Sequence, residues 1–143
     1  MISSIRHTGI VVRDLSKSVE FYKKLGFTDH EKAIEEGEFI DQVTGFTNVK
    51  LEWVKLKAQD GSLLELLKYH SHPLNEKISN QDSNQLGCSH VAFTVEDIDK
   101  TCTVIQNEGG SIVNPPALSK DNKVKVSYCH DLEGVLMEIV EVL

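Results

Sequence analysis

Apolar and polar residues alternate over several short stretches of this 143-residue chain, and in two places the alternation gives way to helical spacing. Ile5–Val12 reads as a strand. Asp14 stands where a helix cap belongs, and Val19, Phe21, Tyr22 and Leu25 form the apolar stripe of a helix over Ser16–Leu25, which Gly26 can stop. Phe27–Ala33 predicts a second strand, and Ile34–Asn48, with Glu35-Glu36-Gly37 and Gly45, predicts a loop holding a short helical turn. Val49–Lys57 and Leu63–Tyr69 read as a hairpin turned by Gln59-Asp60-Gly61-Ser62. After the polar stretch Ser71–Gly87 the same order returns. Ser89–Val95 is a strand, Asp97 caps a helix over Ile98–Glu108, and Gly109-Gly110 ends it. Ser111–Asn114 is a short strand and a loop runs from Pro115-Pro116 to about Asn122. Lys123–His130 and Val135–Val142 close the chain as a second hairpin around Asp131-Leu132-Glu133-Gly134.

The chain is therefore a duplication. His7 and His90, Asp14 and Asp97, and Gly26 and Gly109 are each separated by 83 residues. Both halves read strand, helix, three strands, so modules 1–70 and 88–143 joined by the linker 71–87 make a single domain. Two four-stranded sheets of this kind predict an α+β fold with a curved, half-closed, eight-stranded mixed sheet and helices outside. Side chains alternate between the faces of a strand. His7, Gly9 and Val11 thus share a face, as do His90, Ala92 and Thr94, while Glu65 and Glu138 fall among Leu63 and Leu67 and among Leu136 and Val140.

Composition narrows the function classes. No apolar run approaches the ~20 residues a membrane helix needs. Met1-Ile-Ser-Ser-Ile lacks the charged and apolar parts of a signal peptide. Cys88, Cys102 and Cys129 form no Cys-x-x-Cys pair, which argues against a thiolate metal site and for a reducing, cytoplasmic location. A formal charge of −7 argues against nucleic acid as a partner and leaves a small-molecule substrate.

Glu65 in Leu-Leu-Glu-Leu-Leu and Glu138 in Leu-Met-Glu-Ile-Val are single carboxylates inside apolar strands. A buried carboxylate without a partner costs several kcal/mol, so a cation beside each is the economical expectation. With His7 and His90 they make two nitrogen and two oxygen donors. That set suits one divalent ion among Zn, Ni, Co, Mn and Fe, with room left for water or substrate.

His7-Thr-Gly-Ile-Val-Val-Arg-Asp-Leu15, Val19-Glu-Phe-Tyr22, Leu25-Gly-Phe27, Ser89-His-Val-Ala-Phe-Thr-Val-Glu-Asp-Ile98 and Asp131-Leu-Glu-Gly-Val-Leu-Met-Glu138 resemble the vicinal oxygen chelate superfamily over essentially the whole chain. That superfamily includes glyoxalase I, methylmalonyl-CoA epimerase, extradiol dioxygenases and fosfomycin-resistance proteins. The resemblance implies paired βαβββ modules, with His7, Glu65, His90 and Glu138 on the four metal-ligand positions and Glu138 also acting as the catalytic base. A ligand at Glu65 favours the glyoxalase and epimerase branch, whose members are lyases and isomerases that move a proton next to a carbonyl. It also implies a homodimer. An Fe(II) dioxygenase on the same scaffold and a nonenzymatic drug-binding protein are the rival expectations. By the same resemblance, Val11 and Tyr69 stand where glyoxalase I carries Arg and Asn, which argues against glutathione. Glu52 is a further candidate base, Lys120, Lys123 and Lys125 a candidate anion cluster, and His70-x-His72 a weaker metal candidate. His30 and His130 have no spacing that recruits them, and parity leaves the facing of Trp53 open.

Overall fold

A computed structural model describes residues 1–73 and 79–143 of the chain. Residues 74–78 of the expected linker lie outside the described residues. The chain divides into two compact units, Met1–Glu76 and Lys77–Leu143. It is α+β, with two sheet modules that hold nine strands among the described residues.

The first unit runs β1 (Thr8–Val11), α1 (Leu15–Lys24), β2 (Thr28–Glu36), α2 (Glu38–Thr44), β3 (Lys50–Lys57) and β4 (Leu63–Tyr69). Its sheet order is β1-β4-β3-β2, with β1 parallel to β4 and the other pairs antiparallel. α1 starts where the Asp14 carboxylate accepts the Lys17 backbone N–H at 3.2 Å. It stops in a Schellman turn: Gly26, at φ 102°, donates to Lys23 O, and Phe27 donates to Tyr22 O. The Phe27 and Tyr22 rings meet edge-on at 5.9 Å, the apolar contact that accompanies such a stop. One face of the sheet presents Ile10, Leu56, Leu64 and Leu66, all buried, as are Phe21 and Tyr22 of α1. The segment expected to hold a helical turn contains α2. Its Ile40 joins Val49, Leu51 and Trp53 in a second small core, with Leu67 and Tyr69 against it.

The second unit runs β5 (Val91–Val95), α3 (Ile98–Asn107), β6 (Ser111–Ile112), β7 (Ala117–Leu118), β8 (Val124–His130) and β9 (Leu136–Val142). Its order is β5-β9-β8-β6, and β7 also pairs with β8. The edge strand expected at Ser111–Asn114 is thus shortened to Ser111–Ile112, and the loop expected from Pro115 to about Asn122 holds β7. Pro115-Pro116 has no N–H to give to a ladder, and pairing resumes only at Ala117. This adds a ninth strand to the eight expected. α3 repeats the ends of α1: Asp97 accepts the Lys100 N–H, Gly109 donates to Gln106 O and Gly110 to Ile105 O.

Part of the expected linker is structure. The Gln81 N–H donates to Gly134 O, its carbonyl lies 2.8 Å from His130 Nε2, and its side-chain oxygen accepts the Leu136 N–H at 3.0 Å. His130, buried and assigned no role from the sequence, is therefore part of the anchor that ties this segment to the β8–β9 hairpin.

Candidate metal centre

Each unit brings one histidine and one glutamate to the same place on its sheet. His7 immediately precedes β1, and the β1–β4 register sets Gly9 opposite Glu65. His90 immediately precedes β5, and Ala92 stands opposite Glu138. The residue two positions after each histidine is small, Gly9 in the first unit and Ala92 in the second. At Gly9 a Cβ would already meet Leu67 Cδ1 at 3.3 Å.

His7 Nε2 lies 3.0 Å from Glu65 Oε2, and His90 Nε2 lies 3.3 Å from Glu138 Oε2. Two donors each about 2.1 Å from one ion, and roughly 90–105° apart around it, are about 3.0–3.3 Å from each other. Both separations therefore fit adjacent ligands of a divalent ion as well as they fit a direct hydrogen bond. The nitrogens behind support the same use. His90 Nδ1 lies 2.8 Å from Ser89 Oγ. If Nδ1–H donates there, the Nε2 lone pair faces the Glu138 carboxylate, and that juxtaposition requires a proton or a cation. His7 Nδ1 is buried without a hydrogen-bond partner among the described residues. Within each unit, among the described residues, no third His, Cys, Asp or Glu joins either pair in a metal-holding group.

The two carboxylates have different neighbours. Glu65 is buried, and its other oxygen, Oε1, lies 3.6 Å from Lys55 Nζ. Lys55 stands directly opposite Glu65 on β3, with its ammonium 4.1 Å above the Trp53 ring and 3.5 Å from Glu31 Oε2. In the second unit Tyr128 stands opposite Glu138, and its ring meets His90 edge-on at 5.3 Å. The Glu138 side chain is 25% exposed against 11% for Glu65. Lys55 and Tyr128 each precede the glutamate of their module by ten residues, so they occupy one position of the repeat. Sequence reasoning missed both, and the hairpin registers are what place them beside the glutamates.

Other candidates fall elsewhere. Trp53 is resolved by register: it pairs with Leu67 two positions from the Lys55–Glu65 pair and shares their face. Glu52 therefore points to the opposite face, where it pairs with His70 at 2.8 Å instead of serving as a second base beside Glu65. His72 stacks on Phe46 at 4.9 Å and lies 2.8 Å from Ser71 Oγ, so the two histidines of His-x-His have separate partners. Lys125 pairs with Asp99 at 2.9 Å, which raises its pKa, and Lys123 pairs with Asp121 at 3.6 Å. Lys120 is exposed. The lysine cluster is thus largely committed to neighbouring carboxylates. His30 sits at a bulge, between Asp29 and Glu31, where the β2–β3 register shifts.

A family model described as Glyoxalase/Bleomycin resistance protein/Dioxygenase superfamily matches residues 4–139. A probable lactoylglutathione lyase of Synechocystis sp. is 30% identical, over 94% of this chain and 92% of that protein. A probable lactoylglutathione lyase of Vibrio cholerae is 27% identical over 96% and 89%. Among solved structures, a glyoxalase family protein from Bacillus cereus is similar with a TM-score of 0.91 and 28% identity, covering 100% of this chain and 96% of that one.

Proposed function

Because the chain belongs to the Glyoxalase/Bleomycin resistance protein/Dioxygenase superfamily, we propose that it is a divalent-metal-dependent lyase or isomerase of glyoxalase or epimerase type. Its reaction moves a proton next to the carbonyl of a small thioester or hemithioacetal-like substrate. The observation that carries this reading is the repeated His–Glu pair, at 3.0 Å in one unit and 3.3 Å in the other, on equivalent positions of a duplicated sheet. His7, Glu65, His90 and Glu138 would hold the ion, completed within one chain or between the two chains of a homodimer. A bound divalent ion supplies the Lewis acidity that stabilises negative charge on a carbonyl oxygen.

Glu138 takes and returns the proton. Its side chain is the more exposed of the two carboxylates, and among the described residues its one ion-pair partner is His90. Glu65 is held by both His7 and Lys55 and stays in place. A general base must reach the substrate carbon, and only the less tightly held carboxylate is free to do so. The relatives named probable lactoylglutathione lyase support the reaction type. The thiol is proposed to differ from glutathione. Val11 offers no cation, and the Tyr69 ring is engaged edge-on with Phe46 at 6.3 Å.

Glu138→Gln tests this reading. Exchange of the substrate α-proton into D2O, assayed with a panel of thioesters and hemithioacetals, should fall by at least about 100-fold. Elemental analysis should still find metal. Exchange at the wild-type rate in that variant would remove Glu138 from the reaction.

A further inference from the structure

We propose that Lys55 is a positioning residue, which commits one oxygen of Glu65 and so makes this carboxylate a fixed, one-oxygen ligand. The inference rests on the metal-ligand reading of Glu65 above. Three observations in the first unit carry it. The Lys55 ammonium lies 3.6 Å from Glu65 Oε1, while the other oxygen, Oε2, is the one facing His7. The lysine is itself confined: its side chain is only 17% exposed, its charge lies 4.1 Å from the Trp53 ring centroid, and Glu31 Oε2 is at 3.5 Å. Trp53 is in turn held by its indole N–H, which donates to Glu35 Oε1 at 3.0 Å.

The duplication supplies an internal comparison. At the equivalent position of the second unit stands Tyr128, whose phenol carries no charge with which to pin Glu138. Among the described residues, one glutamate of the repeat is clamped by a lysine and the other is not. The difference at residues 55 and 128 thereby separates a holding carboxylate from a moving one. A positive charge beside the site also opposes a divalent ion. Lys55 therefore lowers metal affinity while setting the coordination, and its removal has two consequences that point the same way. The like charge is gone, and both oxygens of Glu65 can turn to the ion.

The test uses Co²⁺ alone, with wild type, Lys55→Met, Lys55→Arg and Glu65→Ala. Methionine keeps an unbranched apolar stem over Trp53, so the fold is expected to survive, and circular dichroism confirms it. Calorimetry should show Lys55→Met binding Co²⁺ roughly tenfold more tightly than wild type, the effect of deleting a unit charge near a divalent ion in a solvated setting. The visible ligand-field spectrum of the cobalt protein should change in Lys55→Met and return to the wild-type form in Lys55→Arg. A packing role alone would move neither readout. A wild-type spectrum in Lys55→Met, or an affinity at or below wild type, overturns the role of Lys55 while leaving the metal site intact. Failure of wild type to bind Co²⁺ more tightly than Glu65→Ala overturns the ligand reading and this inference together.

Discussion

Replacing Glu65 with leucine separates a charge kept for function from a charge kept for stability. Glu65 sits in β4 between Leu64 and Leu66, all three buried. Its contact with Lys55 at 3.6 Å has a gross Coulomb value of roughly 4–5 kcal/mol at an effective dielectric near 20. Desolvating the two charges costs several kcal/mol and cancels most of that. A leucine in the same place gains roughly 1.5–3 kcal/mol from burial, and Lys55 keeps Glu31 as a partner. Metal-free Glu65→Leu should therefore unfold in urea within about 2 kcal/mol of wild type. The metal-loaded comparison should differ sharply. At a free metal concentration of about 1,000 times the wild-type Kd, binding stabilises wild type by about 4 kcal/mol. Losing one of four ligands weakens affinity by about 100-fold or more, since even outer partners of a site are worth 10–100-fold. The same metal concentration then stabilises Glu65→Leu by no more than about 1.4 kcal/mol. Paired melts with and without metal read both quantities. An unchanged metal-induced rise in Tm in Glu65→Leu would falsify the ligand role. A metal-free loss well above 3 kcal/mol would instead make Glu65 a structural charge.

Other consequences follow from packing. A Cβ at Gly110 would fall 2.6 Å from His130 O and 2.7 Å from Ile105 Cγ2, so Gly110→Ala should lose about 1–3 kcal/mol in chemical denaturation. Gln81→Ala strips the Leu136 N–H of its acceptor and should cost about 1–3 kcal/mol, with faster hydrogen exchange at that amide; unchanged exchange there contradicts the anchor. Cys88 is exposed and should react with a thiol reagent in the native protein, whereas buried Cys102 and Cys129 should react only on unfolding. Burial pushes the Cys129 thiol up to about 12 from its ordinary 9.0. Its folded pKa being the higher, the neutral thiol's contribution is complete below about pH 9 and is lost as pH rises toward 12. Cys129→Ala should show a shallower alkaline decline in urea midpoints than wild type, and equal slopes would show that burial does not govern this thiol.

Much of the architecture was legible in the residues because it is written in local chemistry. Asp14 and Asp97 cap, Gly26 and Gly109 stop, and the stripe between them sets each helix within a residue of its observed span. Parity within each strand was equally readable, whereas the pairing of Gly9 with Glu65 and of Ala92 with Glu138 came from the register. Local pattern was silent on α2 beyond a helical turn, because seven residues carry too little periodicity. It also missed β7, whose pairing depends on where β8 lies after Pro115-Pro116.

The pairing of β3 with β4 is a long-range matter, and there the tertiary structure had the deciding word. Nothing in the order of residues 50–57 says which of Glu52, Trp53 and Lys55 stands beside Glu65. The hairpin register does, by setting Lys55 opposite Glu65 and turning Glu52 to the far face. Likewise, His130 looked idle as a spacing and became an anchor once Gln81, 49 residues earlier, folded back onto it. Donor types, repeats and helix ends are properties of neighbouring residues, so the chain's order expresses them. Which charge clamps which carboxylate depends on side chains that meet across strands, and only folding brings those together.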